Sequence, residues 1–196
     1  MTGKPSDPTA LARRLSQPPP RSSPGGDPPG ASAGAYDAES CGDFGIQIAR
    51  DGTWFYHGSP ITRKPLVRLF ASVLQRDEHG EYWLQTPVEK GRIRVEDAPF
   101  VAVELVVSGK GSAQELSFRT NLDEIVVAGP DHPIRVSEES GTREPRPYLA
   151  VRNRLEALIA RPVFYQLVDL GEEHPGPPPA FGVWSRGAFF ALGQTA

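Results

Sequence analysis

The sequence predicts an α+β fold of two small packed domains, duplicated β-β-α-β-β units behind an N-terminal tail rich in Pro, Gly and Ser. Three observations carry that expectation. From Asp43 onward, short runs alternate apolar and polar residues, the period of a half-buried strand. Two longer apolar runs, Leu66–Leu74 and Leu149–Ile159, read as one helix in each half. The halves also share an order. Trp54–Ile61 is a strand, a Gly turn and Pro-Ile, and Ile125–Ile134 follows the same order with a longer turn. Runs of strands with single helices point to α+β rather than a parallel α/β sheet.

Residues 1–40 hold Pro18-Pro19-Pro20, Pro28-Pro29 and Gly25-Gly26 and few large apolar groups to offset ordering entropy, so they are expected to be a disordered tail. Leu11–Leu15 is the one run there with a transient helical turn or docking motif in it. The first domain is then 41–98. Phe44, Ile46 and Ile48 alternate with Gly45 and Gln47, Asp51-Gly52 is a two-residue hairpin signal, and Trp54 and Tyr56 share one face of the returning strand. Thr62 is the expected helix cap, with Pro65 in the first turn. Leu66, Leu69, Phe70, Val73 and Leu74 recur at i, i+3, i+4, i+7 and i+8. Strands follow at Glu81–Thr86 and Val88–Val95.

The second domain is 99–196. Phe100–Val107 is apolar on both faces, which predicts a strand covered on both sides. Strands are expected at Leu116–Asn121, Ile125–Ala128 and Ile134–Val136, then a mobile polar loop over Ser137–Arg146. Pro147 is read as the start of the second helix and Arg161-Pro162 as its end. Val163–Leu170 is read as a strand, Glu172–Ala180 as a loop, and Phe181–Trp184 with Ala188–Leu192 as a last hairpin.

Composition excludes several function classes. The net charge is −3 over 196 residues, so no global field draws in nucleic acid or an anionic membrane. Aromatic residues do not interleave with a basic stripe as a nucleic-acid platform requires. One cysteine, Cys41, allows no internal disulfide and no CxxC zinc pair. No apolar run has the length of a membrane span, and no h-region follows Arg13-Arg14. The expected location is the cytoplasm, and no cofactor or metal is expected. Gly109-Lys110-Gly111-Ser112 lacks the P-loop spacing and the strand-to-helix context.

Four stretches carry possible binding chemistry. Lys90, Arg92 and Arg94 cluster at the seam between the halves, Leu84–Asp97. Their forks suit a phosphate or carboxylate, and Gly91 would admit a ligand or a neighbouring backbone. The bland alternative is a solvated strand face paired to Glu96 or Asp97. Gly129–Pro133 is a stiff turn that holds Asp131 and His132; it is either a binding turn or an Asx-stabilised one. Asn121 closes a strand-end polar cluster. Tyr148 and Arg152, at i and i+4 of the expected helix, would stack on and charge-pair with a nucleotide, or serve as core tyrosine and solvated arginine.

GDFGIQIARDGTWFYHGSPI, YWLQTPVEKGRIRVEDAPF, TNLDEIVVAGPDHPIRV and PYLAVRNRLEALIARPVFYQLVDL resemble successive blocks of an uncharacterised proteobacterial family, domain of unknown function 1285. The resemblance covers Cys41–Leu192. It implies two related domains, the second loosely pleckstrin-homology-like, a nucleotide-like ligand at the domain interface and a role in signal transduction. It supplies no catalytic residues.

The expected function is therefore a binding module rather than an enzyme. It takes a small anionic, nucleotide-like ligand through Lys90, Arg92, Asn121, His132, Arg135, Tyr148 and Arg152. The alternative is a protein-interaction scaffold whose second domain offers a sheet edge to a protein partner. A third reading is a hydrolase or transferase using Asp131 and His132 as an acid–base pair.

Overall fold

The computed structural model describes residues 7–16, 41–87, 89–138, 144–175 and 178–194. The chain divides into two compact units, Met1–Ala49 with Thr53–Val95, and Arg50–Gly52 with Glu96–Ala196.

The first unit begins with a helix, α1 (Pro8–Leu15), where the sequence predicts a disordered tail with at most a transient helical turn at Leu11–Leu15. Asp7 caps it by accepting the Thr9 N–H at 2.8 Å, and Pro8 occupies the first turn. Leu11, Ala12 and Leu15 lie buried on one stripe, and the helix packs against α2 (Lys64–Ser72). Tertiary contact supplies the stability that so short a helix lacks alone. The rest of the predicted tail lies outside the described residues.

Six strands make the sheet of this unit: β1 (Cys41–Ile48), β2 (Trp54–Tyr56), β3 (Ser59–Pro60), β4 (Leu74–Arg76), β5 (Tyr82–Gln85) and β6 (Lys90–Val95). Their order is β3-β2-β1-β6-β5-β4. As the alternation predicts, Ile46, Ile48, Trp54 and Tyr56 are buried. The β1–β2 hairpin turns through three residues, Arg50-Asp51-Gly52, with Gly52 at φ 82°, rather than through the expected two-residue Asp51-Gly52 turn. Trp54 stacks on Phe70 with ring centroids 6.4 Å apart. Gly91 is buried because the Phe44 ring lies on it; a Cβ there would meet three ring carbons at 2.4 Å. That close approach is neighbouring side chain, not ligand.

Helix α2 differs from its expected form. Arg63 precedes it with no side-chain cap bond, so Thr62 is not the cap. The buried stripe is Val67, Phe70 and Ala71, and the chain turns into β4 after Ser72, so Leu74 reaches the core from a strand.

The second unit holds β7 (Phe100–Ser108), β8 (Glu115–Thr120), β9 (Ile125–Val127), β10 (Ile134–Glu138), β11 (Pro145–Arg152) and β12 (Leu155–Ile159). These form a sheet of order β10-β11-β12-β7-β8-β9. Helix α3 (Arg161–Asp169) and a small sheet of β13 (Glu172–His174), β14 (Ala180–Ser185) and β15 (Ala188–Gln194) follow. Each six-stranded sheet is thus two antiparallel three-strand meanders whose first and last strands pair in parallel, β1 with β6 and β7 with β12. The shared order lies in the sheets. The predicted β-β-α-β-β alignment of Trp54–Ile61 with Ile125–Ile134 does not carry it, because α2 follows the third strand of its unit and α3 the sixth.

The stretch 147–170 reverses its predicted elements. Leu155, Ala157 and Ile159 are buried at alternate positions of a strand, and Asn153 and Arg154, both at positive φ, make the tight turn that returns β11 into β12. Pro162 starts α3 instead of stopping a helix, because its missing N–H costs nothing in the first turn. Tyr148 and Arg152 accordingly sit on a strand, not on a helix face. Strand β7 is buried only at Phe100, Val101 and Ala102; Val103, Val106 and Val107 are exposed, so it is not covered on both sides. Glu172–His174, expected in a loop, pairs with β14.

Ser185, fully buried, ties the small sheet to the large one. Its hydroxyl donates to the Ala128 carbonyl at 2.7 Å and accepts the Leu116 N–H at 3.0 Å. Ser185→Ala should lower unfolding free energy in urea by about 1–3 kcal/mol by orphaning both groups. Gly91→Ala should cost a comparable amount, about 1–3 kcal/mol, because the Phe44 ring must leave its seat. A change under a few tenths of a kcal/mol in either would contradict the packing described.

Candidate functional site

The second unit brings five polar side chains into one network, of which Arg146 also lines a cavity. Asp97, just before β7, accepts a hydrogen bond from the Tyr148 hydroxyl at 2.7 Å and an ion pair from Arg146. Arg146 Nε also donates to the Tyr148 oxygen at 3.1 Å. On the neighbouring strand, Arg135 grips Glu156 through two bonds of 2.5 and 2.7 Å. Its guanidinium lies 4.3 Å from the centre of the Tyr148 ring. Strand pairing sets this up, since Arg135 on β10 is the direct cross-strand partner of Tyr148 on β11.

The electrostatics follow from that packing. Burial would by itself pull the Arg146 guanidinium down, but the bond with Tyr148 and the charge of Asp97 outweigh it and hold Arg146 above its ordinary value. Burial, then the bond to Asp97, pushes the Tyr148 phenol up, against a smaller opposing pull from Arg146. The Glu156 hydrogen bond raises Arg135. Arg146 therefore stays a fixed cation and Tyr148 a neutral donor across physiological pH.

Beside the network lies a cavity of about 490 Å³. Arg50, Arg146 and Arg161 supply its cationic groups, Glu144 its acid, and Phe164 and Tyr165 its aromatic wall. Three elements deliver the cations: the β1–β2 turn, β11 and the first residue of α3. Arg161 pairs with Glu144 at 2.8 Å, both largely exposed. Three guanidinium groups, Arg146 paired with Asp97 and Arg161 with Glu144, stand with apolar walls from Pro147, Leu158 and Ile159, a lining that suits an organic anion.

The residues expected to bind are distributed otherwise. Lys90 and Arg92 lie in the first unit: Lys90 stacks its ammonium 4.4 Å from the Trp83 ring centre, and Arg92 pairs with Glu81 rather than Glu96 or Asp97. Asn121 is a clamp. Its side chain accepts the Val101 N–H at 3.1 Å and donates to the Gly52 carbonyl at 3.2 Å. His132 Nδ1 donates to the Ala150 carbonyl at 3.1 Å, so this nitrogen is not paired with Asp131 as a carboxylate–imidazole device needs. Arg152 pairs with Glu124 and lies 5.1 Å from the Phe100 ring centre. Of the seven, Arg135 and Tyr148 belong to the network. Arg50, Arg146, Arg161 and Tyr165 were missed. Arg146 between Pro145 and Pro147, and Arg161 before a helix-starting proline, were the available signals. Among the described residues no group of three His, Cys, Asp or Glu side chains is placed to hold a metal ion. No helix among them is long and apolar enough to cross a membrane.

Fold and site define a two-unit α+β protein with a cationic, aromatic-walled cavity in its second unit. The chain belongs to the DUF1285 family: residues 33–98 match the model of the N-terminal domain of unknown function, and 99–192 that of the C-terminal domain. A crystal structure of a DUF1285 family protein from Silicibacter pomeroyi DSS-3 is 44% identical. It matches with a TM-score of 0.79 over 98% of this chain and 97% of that one. A second, from Shewanella baltica OS155, is 27% identical and matches with a TM-score of 0.49 over 62% of this chain and 88% of that one. No curated protein matches the sequence.

Tyr148 gives the network a pH signature. Its folded value lies above its unfolded one, so its contribution is fully present below about pH 10 and is lost as pH rises through the folded value. Tyr148→Phe should destabilise the protein by about 1–3 kcal/mol at neutral pH. It should also flatten the fall in stability above about pH 10, leaving the smaller slope from Tyr56, whose phenol burial also raises. Denaturant titrations at neutral and alkaline pH measure both; an unchanged alkaline slope would contradict the assignment.

Proposed function

We propose that this protein is a binding module for a small organic anion, taken up in the cavity of the second unit and not processed chemically. The observation that carries the reading is the convergence of Arg50, Arg146 and Arg161 on one cavity beside Phe164 and Tyr165. Arg161 and Arg50 engage the anionic group through guanidinium forks, while Arg146, anchored by Asp97 and Tyr148, fixes where the charge sits. Tyr165 and Phe164 receive the flat or apolar body of the ligand. A nucleoside monophosphate has both features and fits the volume range of such sites. The nucleotide-like ligand, the role in signal transduction, the cytoplasmic location and the loosely pleckstrin-like character of residues 99–196 belong to this proposal. The last is supported by the helix α3 that follows a six-stranded sheet.

Calorimetric titration of the full chain with adenosine 5′-monophosphate, ribose 5-phosphate and inorganic phosphate tests it. Arg161 is exposed, so Arg161→Ala should leave stability within about 0.5 kcal/mol of the parent. It should weaken anion binding by about tenfold or more, the worth of one charge-assisted contact. Absence of binding by all three anions, or equal binding by parent and variant, would overturn the reading.

A further inference from the structure

Strand β7 loses its strand partner on one side part-way along, where α3 packs against part of it. Its parallel pairing with β12 runs only through Phe100, Val101 and Ala102, and the Ala160 N–H donates to the Ala102 carbonyl where that pairing ends. From Glu104 to Ser108 the strand continues with β8 on its other side. Among the described residues no strand pairs with the β12 side of Val103–Ser108. Three of these six residues are exposed valines, Val103 at 40%, Val106 at 59% and Val107 at 38%, while Leu105 is half-buried and Glu104 and Ser108 are polar. An apolar strand edge of this length is a template for another strand, and proteins that remain monomeric guard such edges with charge, proline or a bulge.

The guard is disarmed here. Glu104 is the only charged residue of Val103–Ser108, and Arg119 on β8 binds its carboxylate at 2.5 Å while also reaching Asp123 at 3.2 Å. The segment contains no proline, and its bulge lies at the inner end, between Ala102 and Glu104. An occupant must offer unpaired backbone groups and apolar side chains on both faces. Val103–Ser108 meets its own requirement. Turned antiparallel about a two-fold axis with Leu105 opposite Val106, it sets Glu104 opposite Val107, so no like charges face one another.

We propose that Val103–Ser108 is a self-pairing edge, and that two copies of this chain join through antiparallel β7 strands into one continuous sheet. Dimerisation of this kind rests on the edge alone and is separate from ligand binding at the cavity.

Sedimentation velocity of the full chain from about 1 to 500 µM, with amide hydrogen exchange at both ends of that range, tests the proposal. A dimer is expected to grow with concentration while the amides of Val103–Ser108 gain protection. Val106→Lys, at an exposed position, should weaken dimerisation more than about tenfold and leave the unfolding midpoint of the monomer unchanged. Val106→Thr, which keeps β-branching without charge, should retain the dimer. A chain monomeric throughout, a dimer that Val106→Lys does not weaken, or concentration-dependent protection elsewhere than β7 would each overturn the proposal.

Discussion

Each six-stranded sheet depends on one pairing, the parallel contact between its first and last strands. Parallel neighbours cannot be joined by a tight turn, so the chain must travel through four further strands before it closes the sheet. It does so twice, with β1 against β6 and β7 against β12. In the second unit this closure brings Leu158 and Ile159 of β12 beside the start of β7, and α3 leaves from the same corner. The cavity is assembled at that corner, which is why its residues span from Arg50 to Tyr165.

The network of Asp97, Arg146, Tyr148, Arg135 and Glu156 gives the corner its polarity. Taking a guanidinium and a carboxylate partly out of water is costly unless their remaining hydrogen-bonding capacity is met. Tyr148 meets part of it, donating to Asp97 and accepting from Arg146, while its ring carries Arg135. The arrangement favours one geometry over others and fixes where the Arg146 charge sits. Asn121 and Ser185 play a similar part elsewhere in this unit, joining strands by bonds that only one register satisfies.

Local period was a good guide where burial was one-sided. The alternation through Phe44–Ile48 and Trp54–Tyr56, a hairpin between them with one more loop residue than Asp51-Gly52 alone, and the last hairpin around Arg186-Gly187 all appear in the structure. It was a poor guide over 147–170. LEALI fits a helical stripe and a strand alternation equally well, and Pro162 ends one helix or begins another with the same chemistry. The choice was made by pairing: Ala157 and Leu158 find partners on both β11 and β7. Similarly, α1 is legible only as a transient turn at Leu11–Leu15, because its three apolar side chains are stabilised by α2, far along the chain.

The sequence by itself determined the α+β class, the existence of the first hairpin, a helix around Leu66–Phe70 in the first half and membership of the family, because these rest on local period, turn chemistry and block order. Tertiary structure alone decided which run became α3, that β7 leaves the sheet exposed, and which arginines meet. Arg50, Arg146 and Arg161 are remote in sequence and share no spacing. Only the closure of β7 on β12 places them around one cavity, and no local signal encodes a contact made across such a separation.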